Sequence, residues 1–343
     1  MIERLFVILG AGASYDCVPR DAPSDARYQP PLTSDLFKAQ REGYAPILAK
    51  YPLAKAAAAE LATVQSATSL ETELRERYRD SEHAHDRRIF RGVLPYLQEL
   101  LYTISYEYTP FPQNYEVLVT KLLRLSEVIF VSLNYDLFLD NALLAVSPDK
   151  SGMGWYMRDG QKWSLIKLHG SVDWSREMIV DRLARPTDFT EPKTETDLAK
   201  DILLRPTRKL DGIRGIEPNA VPSRPYYPAL AAPVGQADEL VCPPEHVEYL
   251  KQRLSETQPI HLLVIGYSGL DQEVVSLIHE SERGVKTLTI VDRGEEATRA
   301  VAERLAQQGV RAQDTKFEAG GFNGWVRKGG LDAFVKHMSN EPF

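Results

Sequence analysis

The sequence predicts a doubly wound α/β fold, in which an open, mainly parallel sheet carries helices on both faces and is interrupted by a large helical insertion. Three observations predict it. Short apolar runs at residues 5–9, 128–133 and 165–168 read as buried strands, and each is followed by polar residues. From residue 262 to 308, strand-like and helix-like segments alternate, as they do where parallel strands are joined by crossover helices. Between residues 36 and 125 strand signals are missing and the chain is helical in character.

The opening run Leu5-Phe6-Val7-Ile8-Leu9 passes straight into glycines without a cleavage pattern, so it reads as a first strand rather than a leader. A polar, proline-bearing stretch follows, after which Thr33 or Ser34 can cap a helix. The helical block contains an alanine-rich segment at 54–62 and a charged run at 71–91. Leu94, Leu97, Leu100, Leu101 and Ile104 recur there at helical spacing and form one core-facing stripe. Asn114 caps a further helix to 125, and a helix at 137–146 follows the strand at 128–133. Residues 163–168 are the next strand. The span 175–243 is polar, proline-rich and poorly periodic, which suits a lid or peripheral insertion. Pro243-Pro244 opens a helix to 254, then strands at 262–265 and 287–291 alternate with helices at 271–282 and 295–308. A small element closes the chain after Phe317. The whole, residues 1–343, reads as a single Rossmann-like domain with a helical insertion at 36–125 and an irregular lid at 175–243.

Composition narrows the function. The 343 residues carry 41 basic and 48 acidic side chains, a net charge of -7, and no basic block, so direct nucleic-acid binding is not indicated. Two cysteines, Cys17 and Cys242, are too few for a disulfide framework or a four-cysteine zinc site, and a reducing cytoplasm is the expected setting. No apolar run approaches the roughly 20 residues a bilayer span requires, so no membrane association is expected. His83 and His85 lie in a charged, helix-like run and belong to a solvated face; no metal is expected.

The residues that can carry chemistry stand at strand ends, where open α/β sheets bind ligands. Gly10-Ala11-Gly12-Ala13-Ser14 makes a tight turn in which Gly10 and Gly12 let backbone approach phosphate oxygens, although Tyr15 stands where a dinucleotide fingerprint has its third glycine. Packing alone would also explain such a turn. Asn134 and Asp136 flank Tyr135, so an amide and a carboxylate project to the same side; Asp136 can equally cap the helix that follows. His169 follows a buried-type strand and precedes Gly170, a context that separates it from the other six histidines. Near the end of the chain, Gly266-Tyr267-Ser268-Gly269 and Asp292 also follow strands and can meet a ribose or phosphate, while helix capping by Asp271 and a turn at Asp292-Arg293-Gly294 explain them as well. Cys17 has nothing nearby to lower its pKa.

Taken in order, the Gly-Ala-Gly-Ala-Ser turn at 10–14, the Asn134-x-Asp136 pair, the Leu168-His169-Gly170 triplet and the Gly-Tyr-Ser-Gly segment at 266–269 resemble the sirtuin superfamily, especially its bacterial NAD-consuming branch associated with phage defence. The stretches 31–37 and 227–233 look like segments of that branch too. The resemblance implies NAD as substrate, held by Gly10, Gly12 and Ser14 at its phosphates and by Gly266, Ser268 and Asp292 at its adenosine half, with Ala11, Ala13 and Thr33 as further cofactor-binding residues. Asn134 and Asp136 would line the nicotinamide-ribose pocket, and His169 would act as general base. The chain departs from protein deacylases in lacking their four-cysteine zinc module, which favours water as the acceptor.

What the resemblance implies is an NAD glycohydrolase that releases nicotinamide and ADP-ribose, an NAD-depleting effector of anti-phage defence and abortive infection. Such an enzyme must be silent at rest, so a homo-oligomer or a gating partner, for instance an ATPase or a nucleotide-sensing protein, is expected. The rivals are a deacylase or ADP-ribosyltransferase with a protein acceptor, and a sensor that binds NAD or ADP-ribose without turnover.

Overall fold

In the computed structural model of the chain, the run of apolar residues near its start is a strand, Ile2–Leu9 (β1), whose residues from Leu5 to Leu9 are each at most 2% exposed. The structure describes residues 2–17, 29–32, 35–37, 43–61, 93–108, 113–125, 127–150, 152–158, 160–178, 210–215, 226–231, 241–279 and 284–340. A short helix Ala11–Tyr15 (α1) follows β1, and the helical block contributes Ala45–Leu48 (α2), Pro52–Leu61 (α3), Val93–Tyr108 (α4) and Gln113–Leu122 (α5). Then come Val128–Ser132 (β2), Phe138–Leu144 (α6), a 3-10 turn at Met153–Met157, and Trp163–Lys167 (β3). Gly170–Met178 (β4), Leu210–Gly215 (β5) and Tyr226–Leu230 (β6) precede Pro244–Glu256 (α7). The chain ends on alternating elements: Thr257–Ile265 (β7), Gln272–His279 (α8), Val285–Asp292 (β8), Glu295–Gln307 (α9), Ala312–Ala319 (β9), Gly321–Arg327 (α10) and Gly330–Asn340 (α11).

The chain divides into two units. The first comprises Met1–Ser24, Tyr108–Leu168 and Cys242–Phe343. Its six strands run in the order β3-β2-β1-β7-β8-β9, and every neighbouring pair is parallel. Renumbered within the sheet this is 3-2-1-4-5-6, the Rossmann-like order of dinucleotide-binding folds. The direction of winding reverses between β1 and β7, so the loops leaving these two strands flank the switch point where such sheets open a crevice. All residues of β2 and β3 are buried, as expected of strands covered on both faces. The edge strand β9 is different: Ala312-Gln-Asp-Thr-Lys-Phe-Glu-Ala319 is exposed or half-exposed throughout, and charges along an edge discourage pairing with other chains. It lies partly before Phe317, where sequence patterning showed no element.

The second unit comprises Asp25–Glu107 and His169–Val241. Its described strands form an antiparallel sheet in the order β5-β4-β6, so β5 and β6 lie within the span whose sequence reads as irregular. The stripe of Leu94, Leu97, Leu100, Leu101 and Ile104 on α4 is at most 5% exposed. Gln98 on the same helix donates its amide to the carbonyls of Val172 (3.1 Å) and Trp174 (3.3 Å), tying α4 to β4, and the Tyr96 hydroxyl donates to the Leu36 carbonyl at 2.7 Å. His83, His85 and the charged run around them lie outside the described residues.

Candidate functional site

Where β1 ends, the chain passes within backbone contact of the loop that leaves β7. Gly10 donates its N–H to the Ile265 carbonyl at 3.1 Å, Gly12 donates to the Gly266 carbonyl at 2.9 Å, and Ala13 turns back to the Gly10 carbonyl at 2.9 Å. A Cβ on Gly10 would sit 2.5 Å from the Gly266 oxygen, and one on Gly266, whose φ is +58°, would sit 2.2 Å from the Ala13 nitrogen. The glycines at 10, 12 and 266 are therefore required by the crossing of two loops at the switch point. The Gly12 N–H is committed to that crossing.

Ser14 is the hub of a buried polar cluster. Its hydroxyl lies 3.0 Å from the Asn134 side-chain nitrogen and 2.9 Å from the Tyr115 hydroxyl. The Asn134 amide nitrogen can only donate, so Ser14 accepts from it, while either hydroxyl of the Ser14–Tyr115 pair can be the donor. Asn134 sends its other amide proton to the Gly10 carbonyl at 2.9 Å. Both protons being spent, Asn134 can meet a ligand only through its carbonyl oxygen, as an acceptor. Ser14, Asn134 and Asp136 are at most 9% exposed and Tyr115 is 1% exposed. The Tyr115 hydroxyl is raised well above its ordinary pKa by burial, then by the charge of Asp136, so it stays a donor.

Asp136 starts the next helix. Its carboxylate accepts the Phe138 N–H at 3.2 Å, fixing the turn into α6, which is the capping role foreseen for it. Burial pushes its carboxyl above the usual range, while Lys167, the Ser14 hydroxyl and the Phe138 N–H pull it back down and Asp140 adds to the rise. Lys167 is the last residue of β3 and fully buried. Its ammonium donates to the Asp136 main-chain carbonyl at 2.6 Å and to Asp140 Oδ2 at 3.0 Å. Asp140 Oδ1 accepts from Lys150 and from the Tyr156 hydroxyl, each at 3.0 Å. Burial alone would raise the Asp140 carboxyl, but Lys150 and Lys167 together outweigh it and hold it far below the ordinary range.

At the far side of the switch point, Ser268 is exposed and its carbonyl accepts from Arg304 at 2.6 Å. Asp271 caps α8 by accepting the Val274 N–H at 3.2 Å, and Asp292, half-buried at the end of β8, accepts the Arg293 N–H at 2.6 Å. Arg293 in turn lies over the Tyr15 ring at 5.6 Å, which sets the end of β8 beside α1. Asp16 holds α10 against the same corner: its carboxylate accepts the Asn323 N–H at 3.0 Å, and Asn114 donates to the Asn323 side-chain oxygen at 3.1 Å.

His169 belongs to the second unit. It is half-buried, and its carbonyl accepts the Ala231 N–H at 2.8 Å. Gly170 beside it has φ +82° and a backbone so close to Ala229 that a Cβ would lie 2.0 Å from that carbonyl, so the glycine of the pair is a β4–β6 packing requirement. Thr33 lies outside the described residues. Cys17 is fully buried and its thiol is raised well above its ordinary pKa, first by burial and then by Asp136. Among the described residues no group of three or more His, Cys, Asp or Glu side chains is arranged to hold a metal, and no helix is long and apolar enough to cross a membrane.

Of the residues singled out in the sequence, the structure brings Gly10, Gly12, Ala13, Ser14, Asn134, Asp136 and Gly266 together. Tyr115, Lys167 and Asp140 join them unannounced. The signal for Lys167 was a lysine inside an otherwise buried-type run, Trp163-Ser-Leu-Ile-Lys-Leu168. Tyr115 had none beyond its place next to a helix start.

Fold and cluster together define an open parallel α/β protein with a polar, charge-bearing centre at its switch point. No family model matches the chain, and no curated protein matches it. Solved structures similar to it include a Sir2 homologue–NAD complex (13% identity, 98% of this chain and 89% of that one, TM-score 0.37). A Sir2 homologue mutant with ADP-ribose (12%, 98% and 92%, 0.37) and a Sir2–p53 peptide–NAD+ complex (13%, 96% and 93%, 0.36) are similar to the same degree.

Proposed function

We propose that the chain is an NAD glycohydrolase. The observation that carries this reading is the convergence of Asn134 on Ser14 and Gly10 just after β1, with buried Asp136 on the same loop, beside the switch point of a sheet in the dinucleotide-binding order. The motif resemblance supplies NAD as the dinucleotide. The bond between a positively charged nicotinamide ring and ribose breaks by loss of neutral nicotinamide, leaving an oxocarbenium-like sugar. A buried carboxylate beside that carbon stabilises the cation electrostatically, and Asp136 is the carboxylate available. The Asn134 carbonyl oxygen accepts from the nicotinamide carboxamide or from the attacking water. His169 takes the proton released when water adds, so NAD+ and water give nicotinamide, ADP-ribose and a proton.

In this reading the glycine crossing at 10, 12 and 266 holds the phosphate-facing backbone together with Ala11 and Ala13, Ser268 and Asp292 serve the adenosine half, and Thr33 is a further NAD-binding residue by resemblance alone. Unregulated NAD loss would harm the host, so the enzyme acts as an inducible depletor in phage defence, gated by self-association or by a partner protein. The test is substitution at the cluster. Asp136→Asn and His169→Ala proteins that retain their fold should lose nicotinamide release, and full activity in either would reject the assignment. Turnover that depends on an acylated or ADP-ribose-accepting protein would instead assign a transferase.

A further inference from the structure

The Asn134 side-chain nitrogen sits among three oxygens of the first unit: the Gly10 carbonyl at 2.9 Å, the Ser14 hydroxyl at 3.0 Å and the Tyr115 hydroxyl at 3.5 Å. The two hydroxyls are themselves 2.9 Å apart. An amide nitrogen carries two protons, so one goes to Gly10 and the other lies between Ser14 and Tyr115, the nearer Ser14 taking the larger share. The Gly10 carbonyl sets which end of the amide faces it, because two carbonyl oxygens cannot hydrogen-bond to each other. A serine hydroxyl sets nothing alone. It turns about a single side-chain bond and can donate as well as accept, so its direction depends on what else holds it.

Tyr115, from α5, is that second hold. Its side chain is 1% exposed; the ring stacks on Phe138 at 6.5 Å and meets Phe322 edge-on at 5.4 Å, so residues of α6 and α10 fix it from two elements. A phenol oxygen lies in the plane of its ring, so fixing the ring fixes the oxygen. We infer that Tyr115 is a positioning residue: its hydroxyl holds Ser14 against the Asn134 nitrogen and thereby keeps the Asn134 carbonyl oxygen turned toward the substrate. The placement is a property of the fold; only its link to turnover rests on the NAD-cleaving reading.

The experiment reads the Asn134 amide directly. Protein is labelled with 15N-asparagine, the Asn134 side-chain signals are assigned by their loss in Asn134→Ala, and exchange of the two protons with solvent is followed by NMR. The reference in the same spectrum is the Asn141 backbone N–H, bonded to the Leu137 carbonyl at 2.8 Å at the start of α6. Tyr115→Phe keeps the ring and removes the oxygen. Both Asn134 protons should be protected in wild type, and in Tyr115→Phe they should exchange about tenfold faster relative to Asn141. The kcat for nicotinamide release should fall by about ten- to a hundredfold, with KM for NAD little changed. A freely exchanging Asn134 amide in wild type overturns the inference without any variant. So does a Tyr115→Phe protein in which Asn134 and Asn141 quicken alike, in which neither quickens, or in which Asn134 alone quickens while kcat stays at the wild-type value. Selective quickening with no nicotinamide released by any protein, wild type included, upholds the placement and rejects the NAD-cleaving reading.

Discussion

The Asn134 side-chain nitrogen donates to the Gly10 carbonyl at 2.9 Å, a bond between residues 124 positions apart that locks the loop after β2 onto the loop after β1. The same nitrogen reaches Ser14, so one amide holds two points of the N-terminal turn. Replacing it by a carboxylate should be worse than removing it. Asn134→Ala leaves the Gly10 carbonyl without this donor, a loss of about 1–3 kcal/mol. Asn134→Asp sets an acceptor against an acceptor and should cost more. Urea midpoints of the two variants measure the order.

Gly266 is expected to be irreplaceable for steric reasons. Its φ of +58° and a Cβ position 2.2 Å from the Ala13 nitrogen combine backbone strain with a clash against main chain, which cannot swing away. Gly266→Ala should destabilise by about 2–5 kcal/mol. Gly160→Ala is the control: φ is +79° but nothing lies within 4 Å, so only about 1–2 kcal/mol of strain should appear. Equal losses in the two variants would count against the loop crossing.

Asp140 and Asp136 should pull stability in opposite directions as pH changes. The folded Asp140 carboxyl lies below its unfolded value, so its contribution is present above the unfolded pKa and is lost on acidification. Asp136 lies above its unfolded value, so its contribution is present in acid and is lost as pH rises through the folded pKa. Asp140→Asn leaves Lys150 and Lys167 without their shared anion and should cost about 3–5 kcal/mol at neutral pH. Denaturation from acid to neutral pH should show a shallower slope in Asp140→Asn than in wild type.

His246 gives a second acid-sensitive handle, in a different window. Burial against the Tyr156 ring, 5.6 Å between centroids, pushes its imidazole down from 6.5 to about 4. Between those values the unfolded chain takes up a proton that the folded chain refuses, so stability falls as pH drops through this interval. His246→Phe should flatten the stability curve there and leave it unchanged above. A curve with the wild-type slope would show that His246 is not the source.

The core strands were legible because strands covered on both faces are continuous apolar runs, as at Leu5 to Leu9 and Val128 to Val131. β9 was not, since an edge strand of Gln, Asp, Thr, Lys and Glu has no apolar face to announce it. β5 and β6, with Gly, Asp, Arg and Pro in their short spans, carry no alternation either. In the site, Gly10, Ser14, Asn134 and Asp136 were visible as polar residues after buried runs. Tyr115 and Lys167 were hidden because what defines them is a partner 101 or 27 residues away, which only the folded chain supplies.

The central claim is that the Ser14–Asn134–Asp136 cluster serves cleavage of the nicotinamide–ribose bond. The direct measurement is to incubate the purified full chain with NAD, alone and at concentrations that drive self-association, and to quantify free nicotinamide and ADP-ribose. Equimolar release of both, abolished by Asp136→Asn, is the expected result. Binding of NAD with no nicotinamide released under any condition would contradict it.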